Sequence, residues 1–204
     1  VNFQNEKGDF MQRPTAPQSR EEIIEILDYA DINHRSWAKP MDLDSLVRFT
    51  QTGEMKLERT NGDALLHVYT AVVTVRNITG KGVRELYEAY LIEDGCRRTR
   101  PFNGSLGEKI RWLYGEDDLS AGRRGINEEL GETEPEIKTA KLDIERLRVE
   151  DDRRPESDYY GKLPAVYHRH HVRCLLPYDL CRKEFIAHDD GREFHFLWKT
   201  VITN

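Results

Sequence analysis

The sequence predicts an α/β fold, a mixed sheet with helices and a helical N-terminal extension. Three observations carry that prediction: helical periodicity near the N-terminus, a run of β-forming residues beginning at Leu65, and a well-signalled helix around residues 116–131 with strands before and after it. Strands on both sides of a central helix, joined by short connections, are the pattern of a mixed α/β domain.

Residues 1–20 mix Gln, Asn, Lys, Pro and Ser without periodicity and end in RPTAPQSR, the composition of a flexible arm. Ser19 then stands three residues before Glu22, a capping-box spacing, and Ile23, Ile24, Ile26, Leu27 and Ala30 follow at helical intervals, so the sequence predicts a helix over 20–30. A second helix is expected from Asp42 to Thr50, where Leu43, Leu46, Val47 and Phe49 follow an Asp-rich start. Residues 21–63 thus read as a helical extension, either a dimerisation element for a homodimer, a lid, or a layer packed on the main domain, which spans 64–204.

From Leu65 the pattern becomes β. LLHVYTAVVTVRN (65–77) and VRELYEAYLIEDG (83–95), separated by ITGKG, describe a hairpin. CRRTRPFNGSLGEK reads as a polar loop leading to the apolar IRWLYG (110–115), whose Trp112 and Tyr114 are expected in the core or stacked on a base. After the central helix, IKTAKLDIERLRV (137–149) is taken as a strand, although its charged residues also tolerate a helix. EDDRRPESDYYGKLP (150–164) is read as a charged loop. AVYHRHHVRCLLP (165–177) and REFHFLWKTV (192–201) are read as strands, with YDLCRKEFIAHDDG connecting them.

Of the 204 residues, 38% are apolar and 33% charged, enough for one domain with an extension under a highly charged surface. A net charge of −6 excludes a broad basic face for duplex nucleic acid. Three cysteines, Cys96, Cys174 and Cys181, form no CxxC pair and leave one over, which favours a reducing compartment over a disulfide framework. No apolar stretch is long enough to cross a bilayer and the first residues carry no signal-peptide core, so a soluble cytoplasmic protein is expected.

The chemistry concentrates in GEDDLSAGRRGINEELGE, residues 115–132. Asp117 or Asp118 suits the helix N-terminus, Gly131 stands where a left-handed C-terminal glycine belongs, and Leu119, Ile126 and Leu130 supply a buried stripe. Glu128 and Glu129 project as adjacent carboxylates from one end of this helix. Alone, such a pair describes a solvated face. Together with substrate phosphates, it is also what a hard divalent cation needs.

These residues resemble the signature box of the Nudix hydrolases: Gly, five residues, Glu, seven residues, then Arg-Glu-U-x-Glu-Glu-x-Gly-U, with U aliphatic. Glu116, Arg124, Ile126, Glu128, Glu129 and Gly131 match it without a gap, and Ala121 and Gly122 fall where the family packs its helix tightly. The match covers about a tenth of the chain, and the C-terminal EFHFLW is similar to the strand that closes many such domains. Three positions depart: Ile110 replaces the opening glycine, Glu132 the final aliphatic residue, and Gly125 the glutamate after the arginine. The last loses a metal ligand, and a helical glycine costs about 1 kcal/mol relative to alanine. Close approach by a neighbour or ligand, or a lost activity, are the two accounts of it.

The resemblance implies an α/β/α sandwich in which Glu128 and Glu129 hold Mg²⁺ or Mn²⁺ and a water attacks a diphosphate. Glu116 and Arg124 would form a structural ion pair. The general base often lies outside the box, with Glu184, Asp189, Asp190 and Glu193 as candidates. The substrate would be a small-molecule nucleotide derivative, specifically a nucleoside diphosphate linked to another moiety. Arg97, Arg98 and Arg100 are either binders of its phosphates or a solvated loop. His168, His170 and His171 with Cys174 invite a zinc reading, but on a strand His171 faces away from the other two, so ordinary strand and surface histidines are expected. The alternative to a hydrolase is a catalytically inactive domain of the same kind that binds a nucleotide or a protein partner as a regulator.

Overall fold

The computed structural model describes residues 14–37, 39, 41–80, 82–99, 106–189 and 191–201. It contains α1 (Arg20–Tyr29), α2 (Leu43–Thr52), β1 (Met55–Thr60), β2 (Asp63–Thr79), β3 (Gly82–Glu93), β4 (Cys96–Arg98), β5 (Leu106–Lys109), α3 (Asp118–Glu129), β6 (Asp143–Arg154), β7 (Ala165–Leu175), β8 (Glu184–Asp189) and β9 (Arg192–Val201). A mixed sheet with a few helices, the expected α/β class, is formed, with strand order β6-β7-β2-β3-β9-β8; β1 and β5 also pair with β2, and β4 with β3. Two compact units divide the chain: residues 1–70, 109–117 and 148–170 form one, residues 71–108, 118–147 and 171–204 the other.

The first unit has its own core of Ile23, Leu27, Leu46, Leu57, Leu66, Tyr160 and neighbours. Both expected helices are here. Ser19 caps α1 with the complete capping box, Oγ accepting from the Glu22 N–H (3.1 Å) and the Glu22 carboxylate accepting from the Ser19 N–H (2.9 Å). Asp42 caps α2 through the Ser45 N–H at 2.9 Å. Gly53 ends α2 at φ +78, where an added Cβ would lie 2.8 Å from the Leu113 nitrogen, so both conformation and space demand glycine. Residues 1–13 of the expected arm lie outside the described residues; near its other end, the Gln18 amide donates to the Leu57 carbonyl (2.8 Å) and accepts from the Leu57 N–H (2.7 Å).

The second unit is built on Val73, Val75, Leu86, Leu106, Ile126, Leu130, Val172, Phe185 and Phe196, with α3 supplying Ile126 and Leu130. The expected hairpin is present, β2 and β3 antiparallel with Thr79 opposite Gly82. The register of β3 against β9 shifts between Glu88 and Tyr90, a bulge. Helix α3 packs closely: a Cβ on Gly122 would lie 3.0 Å from Val172 Cγ2 and 3.3 Å from Val73 Cγ2.

Several local readings are corrected. A strand, β1, forms within the segment read as helical because it pairs in register with β2, Met55 opposite Val68. The polar loop 96–109 contains β4 and β5, and the connection 178–191 contains β8; strands of three to six residues leave too little alternation to detect. The strand read at 137–149 begins only at Asp143, its first part being a 3₁₀ turn, Pro135–Lys138, and β6 runs on to Arg154 through the presumed loop. Much of β6 is exposed, and its charged residues pair two apart on the same side, Arg148 with Glu150 and Arg154 with Asp152, so hydrophobic alternation is absent. Tyr114, expected in the core or on a ligand base, is 71% exposed. Among the described residues no helix is long and apolar enough to cross a membrane.

Gly122→Ala should destabilise the chain by about 1 kcal/mol, overpacking outweighing the gain in helix propensity because the two valines it meets are fully buried. Urea denaturation measures this; an unchanged or raised midpoint would show that the helix can move away from the sheet.

Candidate functional site

Helix α3 begins with an ion pair whose carboxylate is buried. Asp118, only 2% exposed, accepts from Arg146 Nε through both carboxylate oxygens, at 2.6 and 2.8 Å. It stands at the first helical position and serves as an anchor to β6. Breaking such a pair strands a buried charge, which makes it costly to remove. Before the helix, the Glu116 carboxylate accepts the Arg111 N–H at 2.8 Å and so closes the turn of residues 111–116, while Arg111 Nε donates to Glu54 at 3.0 Å.

Beyond the helix the chain is tied down twice. Arg123 Nη2 donates to the carbonyls of Ala140 (2.6 Å) and Ile137 (3.2 Å), fixing the following 3₁₀ turn. Glu132 accepts the backbone N–H of His188 (3.0 Å) and meets its Nδ1 at 2.8 Å, and Thr133 Oγ1 accepts the Ile186 N–H at 2.7 Å. The Glu132 bond holds the His188 imidazole pKa above its ordinary value. Gly131 is not left-handed, contrary to the capping role expected of it; a Cβ there would collide with the Asn127 carbonyl and lie 2.6 Å from Lys138 Cε, so close packing explains it.

The two box glutamates are not equivalent. Glu128 has a side chain 56% exposed, 3.6 Å from Arg124 Nη1. Glu129 is partly buried. Desolvation first, then the negative charges of Glu108, Asp189, Glu88 and Glu128, push its carboxyl pKa up to about 7. Four further carboxylates therefore act on Glu129, from β5, β8, β3 and α3 itself. Neither the loop reading of residues 96–109 nor the hairpin reading of β3 pointed to Glu108 or Glu88.

Glu108 bears on the Gly125 departure. Its carboxylate pairs with Arg124 Nη1 at 2.7 Å, and its side chain lies over the glycine: a Cβ on Gly125 would be 3.3 Å from Glu108 Cβ, 3.6 Å from Cγ and 3.7 Å from Oε2. The other departures also have structural reasons. Ile110 is fully buried and its N–H bonds the Tyr69 carbonyl at 3.0 Å, and Glu132 makes the tie to His188 already described.

The base candidates separate. Glu184 and Glu193 face the two ring nitrogens of buried His195, at 2.8 Å to Nδ1 and 2.5 Å to Nε2, and the His195 bond holds Glu193 below the ordinary carboxylate range. Asp189 contacts Arg192 at 3.3 Å and is the candidate whose charge reaches Glu129. Asp190 lies outside the described residues, as does Arg100. Of the other arginines, Arg98 pairs with Glu93 at 2.9 Å and Arg97 lies 3.7 Å above the Tyr90 ring, which stacks on His195 with centroids 4.2 Å apart. The sequence reading did not pick out His195, although it stands one strand repeat from Glu193 and so on the same face.

His168 and His170 are buried, not at the surface. His168 has both ring nitrogens engaged by side chains, Nδ1 by Asp151 at 2.7 Å and Nε2 by His67 at 2.9 Å, as befits a satisfied strand histidine. Cys174 is fully buried and its thiol pKa is pushed up to about 12. Among the described residues no group of three or more His, Cys, Asp or Glu forms a ready metal cage.

The elevated Glu129 pKa links folding to proton uptake. A carboxyl raised from 4.5 to about 7 contributes stability that is fully present below pH 4.5 and is lost as the pH rises through 7. In chelator, Glu129→Gln should remove that dependence, changing the stability difference between wild type and variant by on the order of 1–2 kcal/mol from about pH 5 to about pH 8, less than the full linkage because solvent screens part of it. Parallel pH profiles in denaturant titrations would contradict the placement of this carboxylate.

No family model and no curated protein matches the chain. Among solved structures it is similar to the NUDIX domain of Shewanella oneidensis NrtR complexed with ADP ribose, at 14% identity and a TM-score of 0.41 over 66% of this chain and 73% of that one. It is also similar to C. elegans Ap4A hydrolase, at 13% identity and a TM-score of 0.33 over 62% of this chain and 77% of that one.

Proposed function

We propose that this chain is a divalent-metal-dependent hydrolase of the Nudix kind, cleaving a pyrophosphate bond in a nucleoside diphosphate linked to another moiety. The observation that carries the reading is Glu129, a box glutamate half-buried at the end of α3 and acted on by the charges of Glu108, Asp189, Glu88 and Glu128. Two further features support it. The last turn of α3 holds no basic residue, although both glutamates stand at its negative dipole end, an arrangement that a cation relieves. The donors are hard carboxylate oxygens, which fit Mg²⁺ or Mn²⁺, and Mg²⁺ commonly takes only one or two protein carboxylates, leaving its other positions to water and substrate phosphates. When bound, the ion supplies charge neutralisation at the diphosphate and lowers the pKa of a water.

In this reading Glu128 and Glu129 hold the cation, and Asp189 takes the proton of the attacking water. Arg124 holds Glu108 and Glu128 in place, and Glu116 fixes the turn that leads into the helix. Arg97, seated over the Tyr90 ring, presents a cation to the substrate phosphates. A second reading is a non-catalytic regulator that binds a nucleotide or a protein partner; Gly125 favours it, because it removes one carboxylate from α3.

Purified protein assayed against a panel of nucleoside diphosphate derivatives with Mg²⁺ and with Mn²⁺ separates the two. Turnover of at least one compound, lost in chelator and reduced on the order of 100-fold in Glu129→Gln, is expected. Absent turnover, with calorimetric binding of the same compounds, would establish the regulator reading instead.

A further inference from the structure

We infer that Glu108 of β5 is a carboxylate ligand of the cation site, standing where the glutamate missing at Gly125 would have placed its own. The inference rests on the hydrolase reading above and names a ligand that the box pattern does not contain.

The geometry argues it in three steps. Residues 125 and 129 are four apart on α3, so a side chain at 125 would lie beside Glu129 on one face, about 5–6 Å away between Cβ atoms. Glu108 already borders that space: its Cβ, Cγ and Oε2 lie 3.3, 3.6 and 3.7 Å from the point where a Cβ on Gly125 would sit, so a glutamate at 125 would press on the stem of the present Glu108. Finally, Glu108 Oε1 is gripped by Arg124 Nη1 at 2.7 Å, one residue from Gly125, which fixes the carboxylate over the helix instead of letting it swing into solvent. Its side chain is only 20% exposed. Gly125 then has a role: it opens the helix face to a carboxylate arriving from the neighbouring strand.

The substitution conserves the number of carboxylates beside Glu129 while moving one of them from helix to strand. The ligand class is a hard divalent cation with open positions for phosphate oxygens, and Arg124 is a positioning residue for Glu108.

Mn²⁺ binding to the full chain, measured by electron paramagnetic resonance and by calorimetry without substrate, tests this independently of turnover. Glu108→Gln should weaken Mn²⁺ binding by about tenfold or more, whereas Glu136→Gln, an exposed carboxylate on the 3₁₀ turn after α3, should leave it within about twofold. Glu108→Ala should weaken it similarly, and adding Gly125→Glu to Glu108→Ala should restore binding to within about threefold, because the vacated space then accepts the helix glutamate. Gly125→Glu alone should bring no gain. Wild-type binding by Glu108→Gln, or failure of the folded double variant to recover, overturns the inference; circular dichroism of each variant verifies folding, and should Glu108→Gln not fold, the double variant alone decides. If Mn²⁺ binding is lost in Glu129→Gln but kept in Glu108→Gln, the hydrolase reading survives and only the role of Glu108 falls. No Mn²⁺ binding by the wild type removes both.

Discussion

Helix α3 comes so near the strands beside it that two positions on its packed side, Gly122 and Gly125, have little room for a side chain. At Gly122 the space belongs to two valine methyls, and at Gly125 to the stem of a glutamate from β5. The depth at which Glu129 sits follows from this contact. With larger residues at those two positions the helix would ride outward, its last turn would gain water, and the carboxylate at its end would be an ordinary surface group. The glycines, each unfavourable for the helix by itself, thus set the environment of the acidic end.

Electrostatics along the same helix is divided. Its first turn is held down by buried Asp118 and Arg146, a pair whose charges satisfy each other. Its last turn does the reverse, gathering negative charge where the backbone dipole is already negative and setting the Arg124 guanidinium against two carboxylates, Glu108 and Glu128. In the proposed reading the function sits at the end whose charges are left uncompensated, where local rules are most often broken.

The α/β class, both N-terminal helices, the β2–β3 hairpin, β7, β9 and the extent of α3 were legible because each carries a period or a cap signal strong enough to stand alone. What stayed hidden depended on pairing. β1 exists because β2 offers it a register, β6 trades hydrophobic alternation for ion pairs along its exposed side, and β5 and β8 are too short to announce themselves. For the same reason the box glutamates could be read from their spacing, while Glu108 and Glu88 could not: their relevance comes from tertiary proximity, which a local pattern does not encode. Gly131 was read by position as a left-handed terminator and is in fact a steric accommodation for Lys138.

The tie between Glu132 and His188 has a mechanical meaning. Glu132 follows α3 by only a few residues, and His188 immediately precedes Asp189 on β8, so one side chain staples the outgoing turn of the helix to the strand that bears the proposed base. In the proposed reading, the proton acceptor and the carboxylates that would hold the ion are thereby linked by a side-chain tie and not by the backbone alone.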